Sequence, residues 1–141
     1  MLFRSILKFI GDGLLAIFPI AKTDAVATVA RPAVAAARKA ITAVASLVDH
    51  PEMLDEPPLE IVVALHVGTV HYGNISAADQ LDFTVIGPAV NLVSRIENAA
   101  KTLGQRIVVS GELAATLDGV VSLGHHQLRG LVTPHELFSP V

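Results

Sequence analysis

The chain has 141 residues, 52 % of them hydrophobic and 4 % aromatic, with a formal net charge of −3. That length holds one domain with an aliphatic core, and the charge balance provides no basic footprint for nucleic acid. The absence of cysteine excludes a disulfide framework, a thiolate nucleophile and a Cys-based zinc site, and makes the cytoplasm the default location.

The first stretch is apolar, but Arg4, Lys8 and Asp12 break it well before the roughly twenty residues that a spanning helix needs, so no membrane segment is expected. Ile6 to Phe18 reads as two short strands around Gly11-Asp12-Gly13, because an Asp-Gly pair tolerates positive φ and the flanks are apolar and partly β-branched. The result is a hairpin with a carboxylate at its tip. From Asp24 to Asp49 the apolar positions Val26, Ala30, Ala33, Ala37, Ile41, Val44 and Val48 step by three or four, the period of an amphipathic helix. Pro32 interrupts the pattern. Proline costs about 3 kcal/mol in a helix interior and is tolerated in the first turn, so the spacing predicts a helix over Pro32 to Val48 and leaves the residues before it open.

His50 to Pro58, rich in proline and acid, reads as a solvated linker. Ile61 to Val67 is a nearly continuous apolar run of the kind found in a strand covered on both faces, and Gly68 to Asn74 turns the chain back. Ser76 to Gln80 is a polar loop and Asp82 to Ile86 a strand. Gly87-Pro88 opens a helix with proline at its favoured first position, and Gly104 closes it. Arg106 to Val109 is a strand, Ser110 caps a short helix to about Leu117, and Val120 to Leu128 and Glu136 to Phe138 supply the last strands. The fold class is therefore α/β.

The most informative stretch is Leu81 to Glu97, LDFTVIGPAVNLVSRIE. Asn91 and Arg95 are four apart and stack one turn above the other on a helix, whereas Val93, Ile96, Ala100 and Leu103 fall on another face. The pair is thus free to face something other than the core, and an amide beside a guanidinium suits a ribose and a phosphate. This segment resembles the signature of class III nucleotide cyclases, the adenylate and guanylate cyclase catalytic domain. KFIGDGLLAIFP, from Lys8 to Pro19, resembles the family's strand-turn-strand with a metal-binding aspartate, and LHVGTVHYGNI, from Leu65 to Ile75, resembles its later hairpin. The three motifs stand in the family's order, and the likeness runs from about Ile6 to Phe138.

The resemblance implies a ferredoxin-like, palm-type mixed sheet with helices on one face. It implies conversion of ATP to 3′,5′-cyclic AMP and pyrophosphate, a phosphorus–oxygen lyase reaction of intracellular signalling, with two Mg²⁺ or Mn²⁺ ions. Asp12 takes the place of a metal-binding aspartate, although on residue type alone an Asp at a turn is most often structural. Lys8 stands where adenylate-specific members place a lysine against adenine. Without the likeness it is a solvated strand lysine, yet adenine N1 accepts where guanine N1 donates, and a lysine can only donate. Thr84 stands at the second base-reading position, as in the bacterial and bicarbonate-responsive subgroup, where its hydroxyl could accept from the adenine amino group; otherwise it is β-branched strand filler. Asn91 corresponds to the asparagine that positions the ribose and Arg95 to the arginine at the α-phosphate, where otherwise both are solvated helix residues. Arg129-Gly130 matches a Lys/Arg-Gly pair, but Leu131 follows and no contact is assigned there. The six histidines are read as packed or surface residues, since neighbours such as His125 and His126 point to opposite faces of a strand.

Members of the family begin earlier, with a strand bearing another metal aspartate and a following helix. Neither is visible here, so residues 1–141 read as one partial domain with one metal carboxylate missing and little activity expected of the chain alone. In the family the site forms between two domains, which implies a homodimer in which Asp12 of one chain serves Lys8, Thr84, Asn91 and Arg95 of its partner. An upstream sensor or regulatory domain is compatible with this. The rival reading is a non-catalytic module that keeps the fold for regulation or dimerisation.

Overall fold

The protein is described by a computed structural model over residues 6–77 and 80–141. Strands Ile6–Ile10 (β1) and Gly13–Ile17 (β2) pair antiparallel in the expected hairpin, with Phe9 opposite Leu14. Helix Val26–Ser46 (α1) follows, then two single 3₁₀ turns at Leu47–Asp49 and Pro51–Met53 where a featureless linker was expected. The remaining elements are Val63–Leu65 (β3), His71–Ala77 (β4), Gln80–Ile86 (β5), Pro88–Leu103 (α2), Ile107–Ser110 (β6), Gly111–Ala114 (α3), Val120–His126 (β7) and His135–Pro140 (β8).

Several expectations are corrected by this layout. The first helix starts at Val26, so Pro32 lies in its interior rather than its first turn. Burial outweighs the lost hydrogen bond there, because Ala30, Val34 and Ala37 are buried and Val26 packs into the same cluster. Nor does Leu65 to Ile75 fold back on itself. Its second arm is β4, which pairs antiparallel with β5 from His71 opposite Ile86 to Ala77 opposite Gln80. Ser76 and Gln80, expected in a loop, are strand residues, and the middle of that loop at 78 and 79 lies outside the described residues.

Strands β3, β6, β8 and β7 form, in that order, a four-stranded sheet. It is mixed: β3 runs parallel to β6, and β8 runs antiparallel to both β6 and β7. The alternation of side chains along β6 divides the core in two. Val108 joins Ile96, Ala100, Leu128 and Leu137 on the α2 side, and Val109 joins Ala30, Leu113 and Ala114 on the side of α1 and α3. The α/β class with a mixed sheet is as expected, but helices cover both faces rather than one. A continuous apolar run at Ile61 to Val67 already called for cover on both sides. The outer strand β7 carries a bulge between Ser122 and His125, where Glu136 of β8 accepts from the Ser122 hydroxyl at 2.7 Å and lies 3.8 Å from His125 Nε2. Among the described residues no helix is long and apolar enough to cross a membrane.

Helix α2 is seated by two close approaches at its start. Gly87 has φ +146, and a Cβ there would lie 3.2 Å from the Thr69 carbonyl oxygen; a Cβ on Gly68 would lie 2.7 Å from the Cβ of Ala89. Any larger residue at either position forces the segment leaving β3 away from the helix. The other end is closed as expected by Gly104, whose amide bonds the carbonyls of Ala100 and Lys101.

His66, at the end of β3, is tied to β6 by a 2.7 Å hydrogen bond between its Nδ1 and the hydroxyl of Ser110. Ser110 Oγ also accepts from the Leu113 amide at 3.3 Å, as the N-cap of α3. Burial lowers the His66 pKa from 6.5, opposed by the carboxylate of Glu112 and assisted by His135. The folded state therefore binds this proton less readily than the unfolded chain. The stabilisation from a neutral His66 is complete above about pH 6.5 and is lost as pH falls from there through the lowered folded value. Melting curves across that range are expected to fall less steeply with acid for His66→Gln than for the wild type; parallel curves would remove His66 from the acid response.

Candidate nucleotide site

Helix α2 presents two chemically distinct faces. Ile96 and Ala100 are buried against the sheet, which turns Asn91, Asn98 and Thr102 outward and leaves Arg95 half-buried at the margin. The expected pairing of Asn91 with Arg95 on one face is what this rotation produces. Arg95 then meets the segment between β7 and β8. A Cβ placed on Gly130, a residue held at φ +81, would lie 3.5 Å from the Arg95 Nη2, so the guanidinium packs over the backbone at that point.

A cleft of about 290 Å³ opens here, lined by Arg95, Asn98, Thr102, Gln127, Leu128 and Arg129. A larger cleft of about 340 Å³ lies between the exit of β3 and the first turn of α2, lined by His66, Thr69, Pro88 and Leu92. Among the described residues it is lined by none of the predicted site residues and by no Lys or Arg, so the smaller cleft is the better candidate. Its electrostatics are one-sided. Arg95 and Arg129 form no ion pair among the described residues, and the carboxylate of Glu97 on the same helix is occupied 2.8 Å away by Lys101. Two guanidinium groups without a counter-charge favour an anionic ligand.

Arg129 is the residue that sequence reasoning passed over. Its adjacency to Gly130 was noted, but attention went to Leu131, and nothing in the spacing showed that the β7–β8 segment folds onto α2. The signal was available in Leu128, an isolated apolar residue between Gln127 and Arg129. It is 2 % exposed, beside Ile96 and Leu137 in the core, and pins the segment there.

Neither Asn91 nor Asp12 is among the described residues that line this cleft, and the side chains of Lys8 and Thr84 lie outside the described ones. Thr84 lies on β5, opposite Gly73 of β4, and Lys8 lies on β1, opposite Leu15 of β2. No ladder joins either hairpin to the four-stranded sheet among the described residues. Asp12 is exposed at the hairpin tip between β1 and β2. Its carboxylate is close enough to add to the upward shift of the Lys101 pKa, which comes mainly from the hydrogen bond and charge of Glu97. Among the described residues no three His, Asp or Glu side chains gather to hold a metal ion. One carboxylate alone holds divalent ions poorly.

Comparison with known proteins bears on this geometry. A model of the adenylate and guanylate cyclase catalytic domain matches residues 5–137. An adenylate cyclase of Anabaena cylindrica is 32 % identical over 114 residues, which is 78 % of this chain and 21 % of that protein. This chain therefore spans about a fifth of that relative's length. Among solved structures, the adenylyl cyclase CyaB from P. aeruginosa superposes with a TM-score of 0.76 over 96 % of this chain and 71 % of its own, at 22 % identity, a likeness of fold. The guanylyl cyclase Cya2 superposes with a TM-score of 0.75 over 95 % of this chain and 68 % of its own, at 28 % identity.

Proposed function

Because the chain belongs to the adenylate and guanylate cyclase catalytic domain family, we propose that it serves as an adenylate cyclase domain, converting ATP to 3′,5′-cyclic AMP and pyrophosphate. One observation carries the reading: Arg95 and Arg129 line a single cleft without a counter-charge, on the same side of α2 as Asn91. In this proposal the two guanidinium groups hold the phosphates and take up the negative charge that grows on them in the transition state, while the Asn91 amide orients the ribose. Transfer of this kind leaves a protein mainly positioning and charge stabilisation to perform, so no dedicated base is required. Divalent ions, Mg²⁺ or Mn²⁺, belong to the proposal with Asp12 as the carboxylate this chain offers, but no step is assigned to them.

Lys8 and Thr84 are proposed to read the base, and a second copy of the chain is proposed to complete the site. Support for association comes from the β1–β2 hairpin, where the cross-strand neighbours Phe9 and Leu14 are 82 % and 56 % exposed. The same apolar pair favours a second reading, a non-catalytic dimerisation module of the same fold. Production of cyclic AMP separates the two.

The test uses an extended chimera that carries, ahead of Met1, the strand and helix the resemblance implies, with their aspartate. It is expected to form cyclic AMP from ATP and to prefer ATP to GTP. Lys8→Glu should erode that preference by roughly ten-fold, because an unpaired polar group against the wrong base costs about 1–3 kcal/mol. Side-by-side turnover with the two nucleotides decides the matter, and a wild-type preference for GTP would overturn the adenylate assignment.

A further inference from the structure

We propose that Gln127 is a positioning residue whose side-chain amide holds Arg129 at the cleft; the inference rests on the cyclase reading for the nature of the ligand, a nucleoside triphosphate. Gln127 follows the last residue of β7 and begins the segment that leads to β8. Its Nε2 donates to the carbonyl oxygens of Leu131 and, at 3.1 Å, Val132. Within that span the Leu131 amide donates to the Leu128 carbonyl at 3.0 Å, and Leu128 is anchored in the core. The segment is thus fixed at three points: a buried side chain, a backbone turn and an amide staple across its mouth. Arg129 and Gly130 are the residues that lie between them.

The chemistry of the staple suits positioning rather than folding. Gln127 is exposed, so the side chain adds little to the core, and water can satisfy the two carbonyls once the amide is gone. What is lost is the restriction on the backbone that carries Arg129. A guanidinium that has to be ordered when the ligand arrives binds more weakly than one already in place, because the ordering opposes association. Gly130 extends the same effect to Arg95, whose guanidinium packs over it.

The experiment measures binding of inorganic tripolyphosphate to the 141-residue chain by titration calorimetry, with thermal melts alongside. Gln127→Met keeps the length of the side chain and removes its donors; it should weaken binding about five-fold without moving the melt. Arg129→Ala should weaken binding by more. In the Arg129→Ala background, Gln127→Met should cause almost no further loss, which is the coupling expected when one residue acts through the other. Equal affinity for Gln127→Met and wild type, the same factor lost in both backgrounds, or no binding by the wild type would each overturn the inference. The outcome is independent of turnover: the coupling supports the inference even where the extended chimera makes no cyclic AMP, and that second result alone refutes the cyclase reading.

Discussion

Replacing Arg95 by alanine lowers ATP turnover by the extended chimera roughly a hundred-fold while leaving the melting temperature nearly unchanged. The magnitude is that expected when one preorganised donor to a transition-state charge is removed, about 2.7–4 kcal/mol. Such a loss falls on turnover more than on nucleotide affinity if the guanidinium acts chiefly in the transition state. Stability is spared because the side chain lies at the margin of the helix, over the backbone of Gly130, rather than in the core. The fold has little to lose from its truncation. Steady-state kinetics with a parallel melt check both halves. Unchanged turnover would remove Arg95 from the chemistry, and a melt that falls in step with activity would make it a structural residue.

The neighbouring position gives the opposite result. Ile96 is 1 % exposed and joins α2 to Val108 of β6 and Leu137 of β8. Ile96→Ala removes three carbons from a site hemmed in by a helix and a sheet that cannot collapse independently, so a cavity remains and the loss is about 2–5 kcal/mol. Against a total stability of about 5–15 kcal/mol for a domain of this size, a denaturation midpoint should drop sharply. Activity measured well below the new midpoint should survive far better than in Arg95→Ala, since the outward face of the helix keeps its residues. An unfolding free energy within a few tenths of a kcal/mol of wild type would mean that α2 is not held by this contact.

The contrast between these two adjacent residues was legible in the sequence. Apolar residues at helical spacing set the buried face of α2, Gly87-Pro88 and Gly104 marked its ends, and the rotation they impose put Asn91 and Arg95 outward. The hairpin at Asp12 was equally legible, because an Asp-Gly turn between short apolar strands has few other solutions. Local pattern failed where distant partners decide. The interior position of Pro32 depends on Ala30 packing against Val109 and Leu113, which are distant in sequence, and no window of neighbouring residues contains that information. The pairing of β4 with β5 in place of β3 is likewise a choice among strands, and a glycine-containing turn after an apolar run suggested the nearer partner. The place of Arg129 in the cleft depends on Leu128 being drawn into the core, a contact between segments some thirty residues apart along the chain.

The margins of the four-stranded sheet bear on how the molecule behaves when crowded. A regular outer strand is a template on which a foreign strand can grow, and repeated growth leads to fibrils. β3 offers only three residues, Val63–Leu65, too few to seed a stable ladder. β7 is longer, but its ladder to β8 is broken between Ser122 and His125, with polar side chains from Ser122, His125 and Glu136 meeting there. A strand approaching from solvent would find its register spoiled halfway along and imidazole and carboxylate groups to desolvate. The irregularity in β7 therefore acts as a gatekeeper: it keeps a sheet rich in valine and leucine from recruiting its own kind at high concentration.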